Sequence, residues 1–171
     1  MTPETEAYAG LLCSHLQAMT TRLRLLTPEQ WDWTPVPSAP TARQLASHTW
    51  QWLVCDRQHI TETDVHRHPL VPDVPREPMA VCELLEEEAA CWKSLILGLQ
   101  PWQMDAWRRQ FNRAPITVRG FVCHVIQNSI YKHGQLATLF FALGLDGTEP
   151  YNAPMPNPFY ASLTGAADEN V

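Results

Sequence analysis

The residue types best suited to chemistry in this chain are its seven histidines, and one line of polar residues stands out around them. His124, Asn128 and Lys132 recur every four residues, so on an α-helix each lies one turn along and about 40° further round than the last. They draw a polar stripe on a segment whose Phe121, Val125, Leu136, Phe140 and Leu143 require a buried side. His48 stands in a second apolar segment between Leu45 and Trp52, on the side expected to face the bundle. Side chains on facing helices are how bundle cores build ligand and metal sites. The plainer alternatives are a satisfied core histidine at 48 and, at 132, a lysine that snorkels out of the bundle.

The remaining histidines and the thiols are weaker signals. His59, His66 and His68 could gather into a surface metal patch, but a solvated loop is the simpler reading. His15 and His133 read as interfacial or surface side chains. The five cysteines (13, 55, 82, 91 and 123) are odd in number and scattered, with no CxxC pair. That spacing suits small buried hydrophobes in a reducing compartment rather than zinc ligands or a disulfide framework.

The helices that must carry these residues are marked out by 15 prolines, all but Pro3 clustered at 28–40, 69–78, 101–115 and 150–158. Proline breaks helix interiors, so the four long stretches between clusters are the natural helices. The first spans about 4–26, with Tyr8, Leu12, Leu16, Met19, Leu23 and Leu26 as its apolar stripe. A short turn follows at Thr27-Pro28-Glu29-Gln30. The second helix opens at Thr41, with Gln44 completing a capping box, and runs to about 63 with Leu45, His48, Trp52, Cys55 and His59 on one face. The third covers about 79–99 and buries Leu85, Ala89, Trp92, Leu95 and Ile96. Pro101 to Trp107 forms one more helical turn, and Gln110 to Ile116 reads as loop or a short extended piece. The fourth helix runs from Thr117 to about Leu143, with Gly144 as its stop. Beyond 146 lies a Pro- and Asn-rich tail whose Tyr151, Phe159 and Tyr160 could pack back. The pattern predicts an all-α, single-domain four-helix bundle, with a long connection between the second and third helices that permits a crossover.

Composition narrows the class. The 171 residues fit one domain with a substantial core, and 45% hydrophobic against 18% charged is an ordinary globular balance. A net charge of −6 argues against binding nucleic acid through a general phosphate field. No apolar run is long enough to span a bilayer and Met1 to Gly10 has no basic n-region, so a cytoplasmic protein is expected. The seven tryptophans read mostly as core and dimer-interface anchors.

At the motif His124-Val-Ile-Gln-Asn128-Ser-Ile-Tyr-Lys132-His133-Gly134-Gln135 the chain resembles the DinB-like (YfiT-related) bundle family, whose last helix commonly carries His-x3-His-x3-His-x-Gly-Gln. The Thr41–Leu53 segment with His48 and the Leu26-Thr-Pro-Glu-Gln-Trp31 turn are also similar to that family, and the resemblance covers roughly residues 5–145. It implies zinc or nickel on one helix-two histidine and the last two motif histidines, positions filled here by His48, Asn128 and Lys132. Two of those three are poor donors, since asparagine binds such ions weakly and lysine brings its own charge. The substitution reads as metal replaced rather than relocated, so no cofactor is expected. The resemblance further implies a homodimer and a small ligand, such as a low-molecular-weight thiol. Two functions stay open: a small-ligand-binding or interaction protein, and a thiol-dependent transferase or hydrolase using His48 and Lys132 in place of the metal. The expected pocket is His48, His124, Asn128 and Lys132.

Overall fold

A computed structural model describes residues 2–62, 71–110 and 113–145. Its elements are α1 (Pro3–Leu23), α2 (Pro28–Trp31), α3 (Ala42–Thr61), α4 (Pro78–Gly98), α5 (Pro101–Met104), β1 (Trp107–Gln110), β2 (Arg113–Thr117) and α6 (Val118–Ala142). The residues His66 and His68, and the tail from 146 with Tyr151, Phe159 and Tyr160, lie outside the described residues.

The proline clusters are helix starts as well as breaks. Pro3, Pro28, Pro78 and Pro101 each stand in the first turn of a helix, where a missing N–H costs nothing. Both expected capping boxes form: Thr41 and Gln44 exchange bonds of 3.2 and 2.9 Å, and Thr27 and Gln30 bonds of 3.4 and 2.9 Å. At the far end of α6, Gly144 takes φ +71°, with Leu145 N–H donating to Phe140 and Gly144 N–H to Phe141, a Schellman stop.

α1, α3, α4 and α6 form the bundle, with α1 and α3 each packed against both α4 and α6. Contacts fix the directions. Glu4 pairs with Arg119 and His15 meets His133, so α1 and α6 run parallel. Asp56 meets His124 while His59 stacks on Phe121, so α3 and α6 are antiparallel. Arg43 at the start of α3 donates to the Arg76 carbonyl just before α4, and Arg57 pairs with Glu88 further along both, so α3 and α4 run the same way. Parallel neighbours oblige the connection to travel back the length of α3. Gln51 holds that returning segment by donating to the Pro72 carbonyl at 3.0 Å. The crossover allowed by the long connection is therefore present, and the order is up, down, down, up.

The core is filled by Leu12, Leu16, Met19 and Leu23 of α1, by Leu45 and Leu53 of α3, and by Trp31, Leu85, Trp92, Phe121 and Phe140. Both large indoles keep their N–H satisfied: Trp92 donates to the Leu53 carbonyl at 3.0 Å and Trp31 to the Leu23 carbonyl at 3.2 Å, which also accepts from the Leu26 N–H at the end of α1.

Three expectations need correction. The helical turn expected to reach Trp107 ends at Met104, and the short extended piece admitted over 110–116 is one strand of a small antiparallel hairpin in which Trp107 pairs with Thr117 and Arg108 with Ile116. Strands of four and five residues are too short to show a period of two. The buried face of α3 is rotated from the one expected, with Trp50 taking the core and Trp52 half-buried beside it. Two residues apart are about 200° apart on a helix, so only one of the two tryptophans can point inward. Finally, Cys55 and Cys82 are buried as expected, but Cys91 and Cys123 are exposed.

Candidate functional site

α3 and α6 carry two matching stripes. On α3, His48, Trp52 and Asp56 recur every four residues; on α6, His124, Asn128 and Lys132 do the same. Because the helices are antiparallel, the bond between Asp56 and His124 sets Trp52 against the His124 ring and His48 toward the Lys132 end of the α6 stripe.

The Asp56 end is tightly built. Asp56 is 1% exposed, and its Oδ2 lies 2.6 Å from Nδ1 of His124, whose side chain is 32% exposed. A buried carboxylate needs such a partner, since desolvation costs several kcal/mol unless hydrogen bonds offset it. Trp52 sets its edge against the His124 ring at 5.5 Å and lies 5.9 Å from the His48 ring, forming the wall between the two histidines.

The other end is open. His48 was expected to face the bundle interior; it lies instead on the exposed flank of α3, because Leu45, Ala46 and Thr49 occupy the inward positions around it. Partial burial, and then the Lys132 charge, push its pKa down. Lys132 is half-buried, which pushes its own pKa down, and its Nζ lies 5.5 Å from the Tyr131 ring centroid. Asn128 is half-buried as well.

His124 and Asn128 also border a cavity of about 670 Å³ between α1 and α6, walled by Leu11, Ile126, Ile130 and Tyr131. Tyr8 closes one side. Burial, and then the neighbouring Cys123 thiol to which it is hydrogen-bonded, raise the pKa of its hydroxyl.

A second polar cluster lies in the α1–α6 interior. His133, read from sequence as interfacial or surface, is 4% exposed, and Arg22 only 1%. Arginine only donates, so His133 Nε2 accepts from Arg22 Nη1 at 3.1 Å. Its proton then sits on Nδ1, 3.2 Å from Nδ1 of His15, which accepts. Burial, followed by the charges of Arg22 and His15, pushes His133 down to about 4. Burial lowers His15 as well. The signal was available: Arg22 continues the core stripe three residues after Met19, and Asp56 is the third member of the His48–Trp52 series.

Among the described residues, no three His, Cys, Asp or Glu side chains come together as a metal-holding group, and no helix is long and apolar enough to cross a membrane.

No protein-family model and no curated protein matches the chain. Among solved structures it is similar to YfiT from Bacillus subtilis, described as "a probable metal-dependent hydrolase with an unusual four-helix bundle topology", with a TM-score of 0.68 and 15% identity over 85% of this chain and 91% of that one. A likeness at that identity is one of fold. With the up-down-down-up order above, it gives this chain the fold of the YfiT-related, DinB-like four-helix bundles.

Proposed function

We infer that this protein is a small-ligand-binding bundle in which Lys132 and His48 take the place of a divalent metal. The observation that carries the reading is that Lys132 of α6 lies near enough to His48 of α3 for its charge, after partial burial, to disfavour protonation of the imidazole. The donor set at the family's ligand positions, one imidazole, one amide and one amine, does not fit zinc or nickel. It suits an anionic group instead: an ammonium and an amide N–H beside a neutral imidazole and the Trp52 ring. A small thiol bound as thiolate, or a carboxylate, has that chemistry.

The depressed pKa of His48 supports a second reading. A neutral imidazole beside a cation can take a proton from a bound thiol, which Lys132 would hold as thiolate while Asn128 orients the acceptor. This is the transferase or hydrolase alternative, with no metal in its steps. We also infer a homodimer, supported by the exposed Ile130, Tyr131 and Phe141 along α6; sedimentation at high micromolar concentration gives a dimer on this reading and a monomer against it.

Thermal shift tests the site directly, because a ligand that binds only the native state raises Tm. Small thiols and carboxylates should raise Tm for the wild type and not for Lys132→Ala, while zinc and nickel should have no effect. A metal-dependent rise with no response to any anion would overturn the reading.

A further inference from the structure

α1 carries no carboxylate between Ala7 and Leu23, and the positions one turn either side of Lys93 on α4 are Ala89, Ala90, Ile96 and Leu97. In a chain with 18 acidic and 12 basic side chains, one ammonium is thus left with no acid in reach on its own helix or on the helix it faces. The next carboxylate on the same face of α4 is Glu86, two turns back, and Arg24 holds it with bonds of 3.0, 3.1 and 3.2 Å. Glu88 is likewise taken by Arg57. Lys93 is in none of the ion pairs of the described residues.

α1 and α4 are antiparallel, since Arg24 at the end of α1 meets Glu86 early in α4 while Cys13 meets Ala89 further on. Along their seam lies a cavity of about 390 Å³, with Glu86 toward one end and Lys93 toward the other. Its floor is apolar: Leu16 and Leu85 are buried, Ala89 is half-buried, and the Thr20 hydroxyl is spent on the Gln17 carbonyl at 3.0 Å. Cys13 marks the Lys93 end. Its thiol donates to the Ala89 carbonyl at 3.8 Å; burial raises its pKa and the Lys93 charge opposes that rise, so the ammonium stands close by.

We propose that the α1–α4 groove is a second ligand site, which binds an unbranched aliphatic monocarboxylate with its carboxylate on Lys93 and its chain along Leu16, Ala89 and Leu85. Seven residues of helix separate Lys93 from Glu86, roughly 10 Å, the length of an extended chain of about eight carbons. The carboxylate supplies the partner that the ammonium lacks, and the chain covers apolar surface that water otherwise wets. The Arg24–Glu86 pair closes the far end and, being already neutralised, offers no second anchor. A volume of about 390 Å³ lies near the lower end for small-molecule sites and suits one chain rather than a two-chain lipid. A carboxylate without a chain has too little to hold it here. The site uses none of His48, Asn128 or Lys132 and does not rest on the anion site they form.

Calorimetric titration of the full chain with sodium octanoate tests the proposal. The wild type should bind saturably with submillimolar affinity, and each methylene from butanoate to octanoate should tighten binding about two- to fourfold. Octylammonium, of the same length and opposite charge, should not bind. Lys93→Gln should weaken octanoate about tenfold, and Ala90→Phe, which fills the groove, should abolish binding. Both positions are exposed, so the variants should fold. Lys132→Ala should bind octanoate as the wild type does. No saturable binding, which would leave Lys93 a solvated lysine, overturns the proposal, as does octylammonium binding equally well. Binding that survives both Lys93→Gln and Ala90→Phe overturns it too, and so does binding lost with Lys132→Ala instead, which puts the carboxylate on the α3–α6 face. A ligand-free dimer that dissociates with Ala90→Phe would give the groove to a second copy and also overturn it.

Discussion

Lys132 of α6 lies near enough to His48 of α3 that its charge, after partial burial, lowers the imidazole's pKa. Two groups so arranged discourage a second cation. A dication would have to displace a proton from Lys132 and accept a single imidazole as its one good donor.

The purified, untagged protein should therefore contain well under one zinc or nickel per chain by elemental analysis. A value close to one per chain would mean that the substituted positions still hold a metal, or that other residues do.

The link between the two parallel helices should be sensitive to which partner is removed. Arg57 holds Glu88 with bonds of 2.8 and 2.5 Å, and the Glu88 side chain is only 10% exposed. Arg57→Ala strands a largely buried carboxylate and should destabilise the fold by about 3 kcal/mol in urea unfolding. The double change Arg57→Met with Glu88→Leu should recover most of that, since the charges leave together. A single-variant effect of a few tenths would show that water already screens the pair.

How much of this was readable beforehand depended on the length of each signal. The α1 stripe from Leu12 to Leu23, the capping boxes at Thr27 and Thr41 and the Gly144 stop were all legible, because each repeats over several turns or rests on local hydrogen bonding. The hairpin at Trp107–Thr117 was not, because its strands are too short to show periodicity. At the site, His48 and Lys132 were found by motif position, but their facing depends on helix register, which only packing sets. Asp56 went unremarked: it continues the four-residue His48–Trp52 series, but that spacing does not show its partner 68 residues away. His133, adjacent to the motif's lysine, reads from sequence as an interfacial or surface side chain; its burial follows from the α1–α6 contact that also buries Arg22.

The Arg22–His133–His15 chain makes acid stability a readout of that contact. A free histidine titrates near 6.5, and His133 is pushed down to about 4 in the fold. Its folded pKa lies below its unfolded one, so the neutral form is favoured by folding. Above about 6.5 both states are neutral and stability is full; as pH falls toward 4 the unfolded chain takes up a proton that the native state refuses. Stability should drop by roughly 3 kcal/mol across that window, with His15 adding in the same direction. His133→Gln keeps an acceptor for Arg22 without the titration, so its denaturation midpoint should vary distinctly less between pH 7 and 4. An equal acid dependence in that variant would assign the effect to other groups.

The most direct test of the central claim is to restore what the sequence replaced. Asn128→His with Lys132→His gives α6 an i, i+4 imidazole pair opposite His48, three nitrogen donors with room for a fourth ligand as in catalytic zinc sites. It also removes a half-buried cation, so the apo variant should still fold. Calorimetric titration of that double variant with nickel or zinc should give micromolar or tighter binding near one equivalent per chain, lost when His48→Ala is added. A folded double variant that binds neither metal would contradict the account, because His48, residue 128 and residue 132 would then not share one site.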